Sequence, residues 1–230
     1  MKQIVTSAAV LARTNYGEAD RIVTMLTPDH GKVRLMARGV RKSKSKLAGG
    51  IELFSVSDIS FAQGRGELGT LVSSRLGMHY GRVLEDVDRT MGAYDLIKLL
   101  DRSTEDNCEP EYFELLSRLF VALDDVRLPF ELVKTWFYAQ LLRLHGFSPN
   151  TRSDTTGAKL SAEGQYVFML DEMGFAVHAE GPFGADEIKV MRLLFADVTS
   201  QQLAKVQGIM VHIGMLSPLV NAMRKQFIRV

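Results

Sequence analysis

The sequence predicts an α+β protein: a small five-stranded β-barrel over residues 1–80, then an α-helical domain over residues 81–230, with a small irregular insertion at 147–184. Three observations carry that prediction. Five short strand-like runs fall in the first 80 residues, separated by glycine turns and without a helical period. Closing such a set into a barrel removes the unpaired edges of an open sheet. From Arg82 onward apolar residues recur every three or four positions, the period of an amphipathic helix. That period lapses at Phe147 and resumes after Gly184. At 230 residues the chain is long enough for two domains.

The first run, IVTSAAVLAR at residues 4–13, is apolar and β-tolerant, and the turn-like TNYGEAD separates it from RIVTMLT. Pro28-Asp29-His30-Gly31 is a tight reversal in which Gly31 can take positive φ, so a hairpin leads into the run that begins at Lys32. After Gly49-Gly50, IELFSVSDISFAQ reads as one long strand, with Ile51, Leu53, Ile59 and Phe61 on one parity and Phe54 and Val56 on the other. Gly64-Arg65-Gly66 turns the chain into LGTLVSSRL.

The first helix carries an apolar stripe of Val83, Leu84, Val87, Met91, Tyr94, Ile97 and Leu100. A second has Pro110 in its first turn among Glu109, Glu111 and Glu114, as the helix dipole favours, and buries Tyr112, Leu115, Leu116, Leu119 and Leu123. A third opens at Pro129 and runs through Trp136, Phe137 and Leu144 to Gly146, a C′ glycine. The insertion holds two short strands, QYVFML and GFAVHAE. Helices return at Ile188, again behind a capping-box spacing of Thr199 and Gln202, and a last short one opens at Ser217-Pro218.

Composition excludes several classes. Hydrophobic content of 46% and charged content of 24% are those of an ordinary globular protein. One cysteine, Cys108, rules out an internal disulfide framework and a zinc site of several thiolates, and its acidic surroundings disfavour a reactive thiolate. No apolar run approaches the roughly 20 residues of a membrane span, and the opening residues lack a signal core, so a cytoplasmic protein is expected. The histidines at 30, 79, 145, 178 and 212 are scattered without metal-ligand spacing, and no phosphate-binding glycine fingerprint occurs. The carboxylates Asp86, Asp88, Asp101, Glu105, Asp106 and Glu109 read as a solvated helix face and loop, with no spacing that pairs two of them for acid–base work. An enzyme is not expected.

The net charge of +1 conceals a segregation. Residues 1–80 carry twelve Lys or Arg against six acids, residues 81–180 carry ten against eighteen, and residues 181–230 carry six against three. The densest stretch, KVRLMARGVRKSKSK at 32–46, has seven cations and no acid. It reads as a strand with a charged outer face running into a basic loop. Lys32, Arg34, Arg38, Arg41, Lys42, Lys44 and Lys46, with Arg13 and Arg21, form a track for a phosphate backbone, and Arg65 and Arg75 lie nearby in sequence. The alternative is a solvated solubility patch. Tyr16, Phe54, Phe61 and Tyr80 are the aromatics available to it, and two or more of these belong to the core, so electrostatics should outweigh base stacking.

The runs Tyr16-Gly17-Glu18-Ala19-Asp20-Arg21-Ile22-Val23, Thr27-Pro28-Asp29-His30-Gly31-Lys32 and Ala37-Arg38-Gly39-Val40-Arg41-Lys42-Ser43-Lys44-Ser45 resemble, in that order, the amino-terminal region of the bacterial RecO family. The helix ending LLRLHGFSPN is similar to that family's helix before its metal-binding insertion. The resemblance implies an OB-fold barrel joined to a helical domain and a recombination mediator without catalysis. Such a protein binds single- and double-stranded DNA, anneals complementary strands, contacts the carboxyl-terminal tail of single-stranded DNA-binding protein, and works with RecR, and at one remove with RecF, to load RecA. It would be nucleoid-associated. Lys32, Arg34, Arg38, Arg41, Lys42 and Lys44 would face DNA, and Arg224 and Lys225 would serve the acidic tail. Many members carry a zinc site that starts Cys-x-x-Cys-Gly; here the stretch reads Ser153-Asp154-Thr155-Thr156-Gly157, without either thiolate. The expectation is a fold held without zinc or any other cofactor, by packing of Phe168, Phe175 and Val177. An RNA-binding factor or a protein adaptor whose basic loop meets an acidic surface is the rival reading.

Overall fold

The computed structural model describes residues 3–64 and 66–228. Strands β1 (Gln3–Tyr16), β2 (Asp20–Thr27), β3 (Gly31–Ala37), β4 (Ser55–Ala62) and β5 (Leu68–His79) close into a barrel in the order β1-β2-β3-β5-β4. Every pairing is antiparallel except β3 with β5. β1 is long because it serves two neighbours. Gln3 to Ala9 pair with β4, Ala9 to Tyr16 pair with β2, and an irregularity between Val10 and Ala12 bends the strand from one to the other. The barrel core is built by strand alternation from Val10, Val23, Met25, Leu35, Ile59, Phe61 and Leu71.

The fourth run is not one strand. Ala48–Ile51 forms a short 3-10 turn and β4 begins only at Ser55, after Phe54 in the left-handed region at φ 57. A left-handed non-glycine costs on the order of 1 kcal/mol. It is offset because the Phe54 ring leaves the barrel parity and packs 5.3 Å from Tyr94 and 6.0 Å from Phe120. Burying an aromatic side chain stabilises by about 1.5–3 kcal/mol.

The secondary structure changes near residue 80 as expected, but the compact units divide later, into residues 1–126 and 127–229. Two helices therefore share a unit with the barrel: α1 (Val87–Ser103) and α2 (Pro110–Asp124). Asp86 caps α1 by accepting the Arg89 amide at 2.7 Å. The buried Arg89 guanidinium donates to the carbonyls of Ala122, Leu123 and Asp125, which the end of α2 would otherwise leave unsatisfied. Gly31 has φ 58, and a Cβ there would collide with the Asp106 carbonyl oxygen, so the β2–β3 turn seats on the α1–α2 connection only as glycine.

The apolar stripe expected on α1 is only partly buried. Val83 and Leu84 precede the helix in a 3-10 turn, Gly81–Glu85, with Val83 buried and Leu84 49% exposed. Within α1, Ala93, Leu96, Ile97 and Leu100 face the core, while Val87, Met91 and Tyr94 are 74%, 63% and 42% exposed. Both sides of this helix are apolar, and periodicity reports a stripe without saying which one meets a neighbour.

The second unit contains α3 (Phe130–Leu144), β6 (Asn150–Asp154), β7 (Tyr166–Met169), β8 (Gly174–Val177), α4 (Ala185–Leu194), α5 (Ser200–Leu203) and α6 (Ile209–Phe227). Gly146 takes φ 82 after α3, as its C′ place requires. Inside the unit, the Trp136 indole donates to Val198 at 2.8 Å, and the buried Gln140 amide donates to Leu194 and Ala196 at 2.6 and 2.8 Å. The last two expected helices are one: α6 runs through Pro218, and the adjacent Ser217 hydroxyl donates to Glu131 of α3. The capping box at Thr199 and Gln202 is present, but it opens only the four-residue α5. The insertion folds as a sheet in the order β6-β8-β7.

Candidate nucleic-acid interface

Strand register places one continuous outer surface on β1, β2, β3 and β5. Thr14 pairs with Ile22, Ile22 with Met36, and Met36 with Thr70; alongside, Ala12 pairs with Thr24, Thr24 with Arg34, and Arg34 with Leu68. The intervening residues Val23, Met25, Leu35 and Ala37 are fully buried, so by alternation these two rows point outward. Arg34 is exposed among half-buried Ile22, Thr24 and Met36. Tyr16, 56% exposed, stands at the end of the same face, whereas Phe54 and Phe61 are in the core. The sequence reading named Arg34 here but missed Ile22, Thr24 and Met36. Their alternation with Val23, Met25, Leu35 and Ala37 was the available signal.

The basic loop leaves β3 at Arg38 and is pinned to the β1–β2 turn. The Gly39 amide donates to Asp20 Oδ1 at 2.7 Å, the Arg41 amide to Ala19 at 2.9 Å, and the Arg41 guanidinium to the Gly17 carbonyl at 3.1 Å. Turn bonds from Lys42 to Gly39 and from Ser45 to Lys42 shape the rest. The loop is therefore an ordered appendage of the outer face. Arg34, Arg38, Lys42, Lys44 and Lys46 are exposed and make no side-chain hydrogen bond or ion pair among the described residues. Cations held close together without internal partners attract phosphates and release their condensed counterions.

Besides Arg41, whose guanidinium is held by the Gly17 carbonyl, four cations of the expected region are engaged within the protein. Lys32 is no part of this surface: its side chain is 7% exposed, and its Nζ lies 2.7 Å from the carbonyls of both Asp101 and Thr104 and 3.5 Å from the Asp101 carboxylate. Its backbone amide donates to Asp106 at 2.8 Å. It shares the outward parity of Arg34, but at this end of β3 the α1–α2 connection covers that side. Arg13 is paired with Glu52 at 2.6 Å, which cancels its charge locally. Arg21 donates to the neutral Asn15 side chain at 3.0 Å and keeps its charge on the face. Arg75 pairs with Asp58 at 2.8 Å, and Arg65 lies outside the described residues.

Elsewhere the chemistry-bearing residues do not converge. No group of three His, Cys, Asp or Glu side chains is placed to hold a metal among the described residues. Burial, more than the neighbouring Glu109, pushes the Cys108 thiol up. His212 contacts Glu187 at 2.8 Å, a pairing within the second unit. Arg224 stacks 5.2 Å over the Tyr138 ring and donates to Asn221, whereas Lys225 is exposed at the end of α6.

The zinc that the family resemblance implies does not fit the residues in its place. The Thr156 hydroxyl donates to Asp154 Oδ1 at 2.7 Å, and the amides of Thr156 and Ala158 reach the same oxygen at 2.9 and 3.0 Å. Ser153 Oγ accepts from Asn150 at 2.9 Å. The Thr156 hydroxyl, with those amides and against some desolvation, holds the Asp154 carboxyl below its ordinary value. Behind this turn Phe175 is fully buried, with Phe168 at 5.1 Å, Phe183 at 6.0 Å and Tyr166 at 6.3 Å. Val177, expected in that cluster, is 67% exposed. It has the strand parity of Phe175, but it is the terminal residue of β8 and is left outside the cluster at the end of the strand.

A five-stranded barrel of this order, followed in sequence by helices, defines an OB-type fold, and its outer face carries free cations. The family model described as "Recombination protein O N terminal" matches residues 1–77. Proteins named DNA repair protein RecO are similar over longer spans. The one from Dehalococcoides mccartyi is 34% identical over 148 residues, covering 64% of this chain and 58% of that protein. The one from Bacillus velezensis is 33% identical over 171 residues, covering 74% and 66%. A Roseiflexus protein of the same name is 42% identical over 104 residues, covering 45% and 36%. The match to the Dehalococcoides relative thus spans less than two thirds of that protein's length. The chain belongs to the RecO family. No helix among the described residues is long and apolar enough to cross a membrane.

Proposed function

We propose that this chain is a DNA-binding recombination mediator in DNA repair, acting by holding strands rather than by chemistry. The observation that carries the reading is the group of five cations, Arg34, Arg38, Lys42, Lys44 and Lys46, on one barrel face and its pinned loop, none engaged internally. Relatives named DNA repair protein RecO support the biological setting. Phosphates bind the basic loop and Arg34, and unpaired bases lie on the Ile22, Thr24 and Met36 surface with Tyr16 at its edge. Because the face offers one exposed aromatic and many cations, sequence preference is weak and salt dependence strong. Binding both single and double strands lets the protein bring complementary strands together.

In this reading the protein works in the cytoplasm, at the nucleoid, on strands coated by single-stranded DNA-binding protein, with RecR as partner in loading RecA. The acidic tail of the coating protein meets the second unit, where Lys225 offers an exposed cation and Arg224 is held against Tyr138.

The test is annealing of complementary strands coated with single-stranded DNA-binding protein, with and without its acidic tail, beside titration of a labelled strand at low and high salt. Faster annealing that needs the tail, and affinity that falls steeply with salt, are expected. No DNA binding at low salt would sink the proposal, and equal affinity for RNA hairpins would favour an RNA-binding role.

A further inference from the structure

We infer that the outer face of α1 is a docking surface for a protein partner that presents an apolar ridge flanked by Lys or Arg. Four large apolar side chains, Leu84, Val87, Met91 and Tyr94, are 42–74% exposed in the span 84–94. Within the helix, Val87, Met91 and Tyr94 fall at i, i+4 and i+7 and so share one face. Of these three only Tyr94 also packs inward, with its ring 5.3 Å from Phe54, so Val87 and Met91 are not needed to seat the helix. α1 is held from its opposite side by Ala93, Leu96, Ile97 and Leu100 and by the three carbonyl bonds of Arg89.

Charge selects the occupant. Glu85, Asp88 and Asp95 are exposed beside the stripe and make no side-chain hydrogen bond or ion pair among the described residues. Exposed Lys98 closes the far end. Three free carboxylates repel a nucleic acid, so this surface is separate in kind from the basic barrel face. They would also oppose a two-fold pairing of α1 with a second copy, since Asp88 would approach the second copy's Asp95. An amphipathic helix with cations beside its apolar residues satisfies both the stripe and its rim.

The test uses the full chain with 13C-methyl methionine, the Met91 signal being assigned by Met91→Leu. Two synthetic helical peptides serve as probes: one with a Leu/Met ridge flanked by Lys and Arg, the other with Glu in place of those cations. The basic peptide should move the Met91 signal and saturate, binding at least about tenfold more tightly than the acidic one. Val87→Ser with Met91→Ser should abolish that binding and leave melting temperature and DNA affinity unchanged, since both side chains lie outside the core. An unmoved Met91 signal, or equal binding of the two peptides, would overturn the inference. So would self-association in sedimentation that the double variant abolishes, which would assign the face to a second copy. DNA affinity is read separately, so failure here is distinguishable from failure of the DNA-binding reading.

Discussion

Lys32 and the cations from Arg38 to Lys46 belong to one uninterrupted basic run, yet the fold gives them opposite roles. Lys32 is drawn inward, where its ammonium group completes the carbonyls of Asp101 and Thr104 at the end of α1. A few residues later the chain has left the strand, and Arg38, Lys42, Lys44 and Lys46 meet only solvent. The difference teaches that charge density in a sequence marks a region, while availability of each charge depends on what covers it. One end of the run is a fastener between barrel and helix; the other is the surface proposed to bind DNA.

Replacing Lys32 by Met tests this most severely. With two carbonyls left without a donor in a buried place, stability should fall by about 2–4 kcal/mol in urea unfolding. The affinity of the folded variant for DNA should stay within about twofold of the parent, because no phosphate contact is lost. Unchanged stability with weakened DNA binding would reverse the assignment of the two ends.

The other end should behave the opposite way. Changing Arg38, Lys42, Lys44 and Lys46 together to Gln should lower affinity for single strands about 100-fold at low salt and flatten the log–log salt slope by about 3. Unfolding free energy should move by no more than about 0.5 kcal/mol, as for exposed residues generally. Intact affinity would place the track elsewhere. Arg34→Gln alone should cost about three- to fivefold and flatten the slope by about 0.7, irrespective of base sequence. A sequence-dependent loss would mean that Arg34 reads bases.

A smaller effect extends the comparison to an anion that is consumed by its own turn. Asp154→Ala should speed amide exchange at Thr156 and Ala158 while zinc content, by metal analysis, stays below stoichiometric in variant and parent alike. The folded carboxyl sits below its ordinary value, so its contribution to stability is complete above the ordinary carboxylate range and is lost as pH falls through the lower folded value. Acid titration should therefore loosen the β6–β8 region in the parent and have less effect on the variant. Stoichiometric zinc would refute the metal-free account of this turn.

What the amino-acid sequence determined by itself is the part of the molecule written in local chemistry. Alternation with period two, glycines where φ must be positive and the switch to a helical period at Arg82 were enough for a barrel followed by helices. The segregation of charge located the basic stretch in the barrel. Tertiary structure decided the rest, because it depended on residues distant in the chain. The partner carbonyls of Lys32 lie 69 and 72 residues further on. Phe54 broke the fourth strand because Tyr94 and Phe120 offered it a better-packed place. Of the two apolar sides of α1, packing chose Ala93, Leu96, Ile97 and Leu100 and left Val87 and Met91 outside. Periodicity and charge count are properties of a segment, whereas burial is a property of the segment and whatever folds against it.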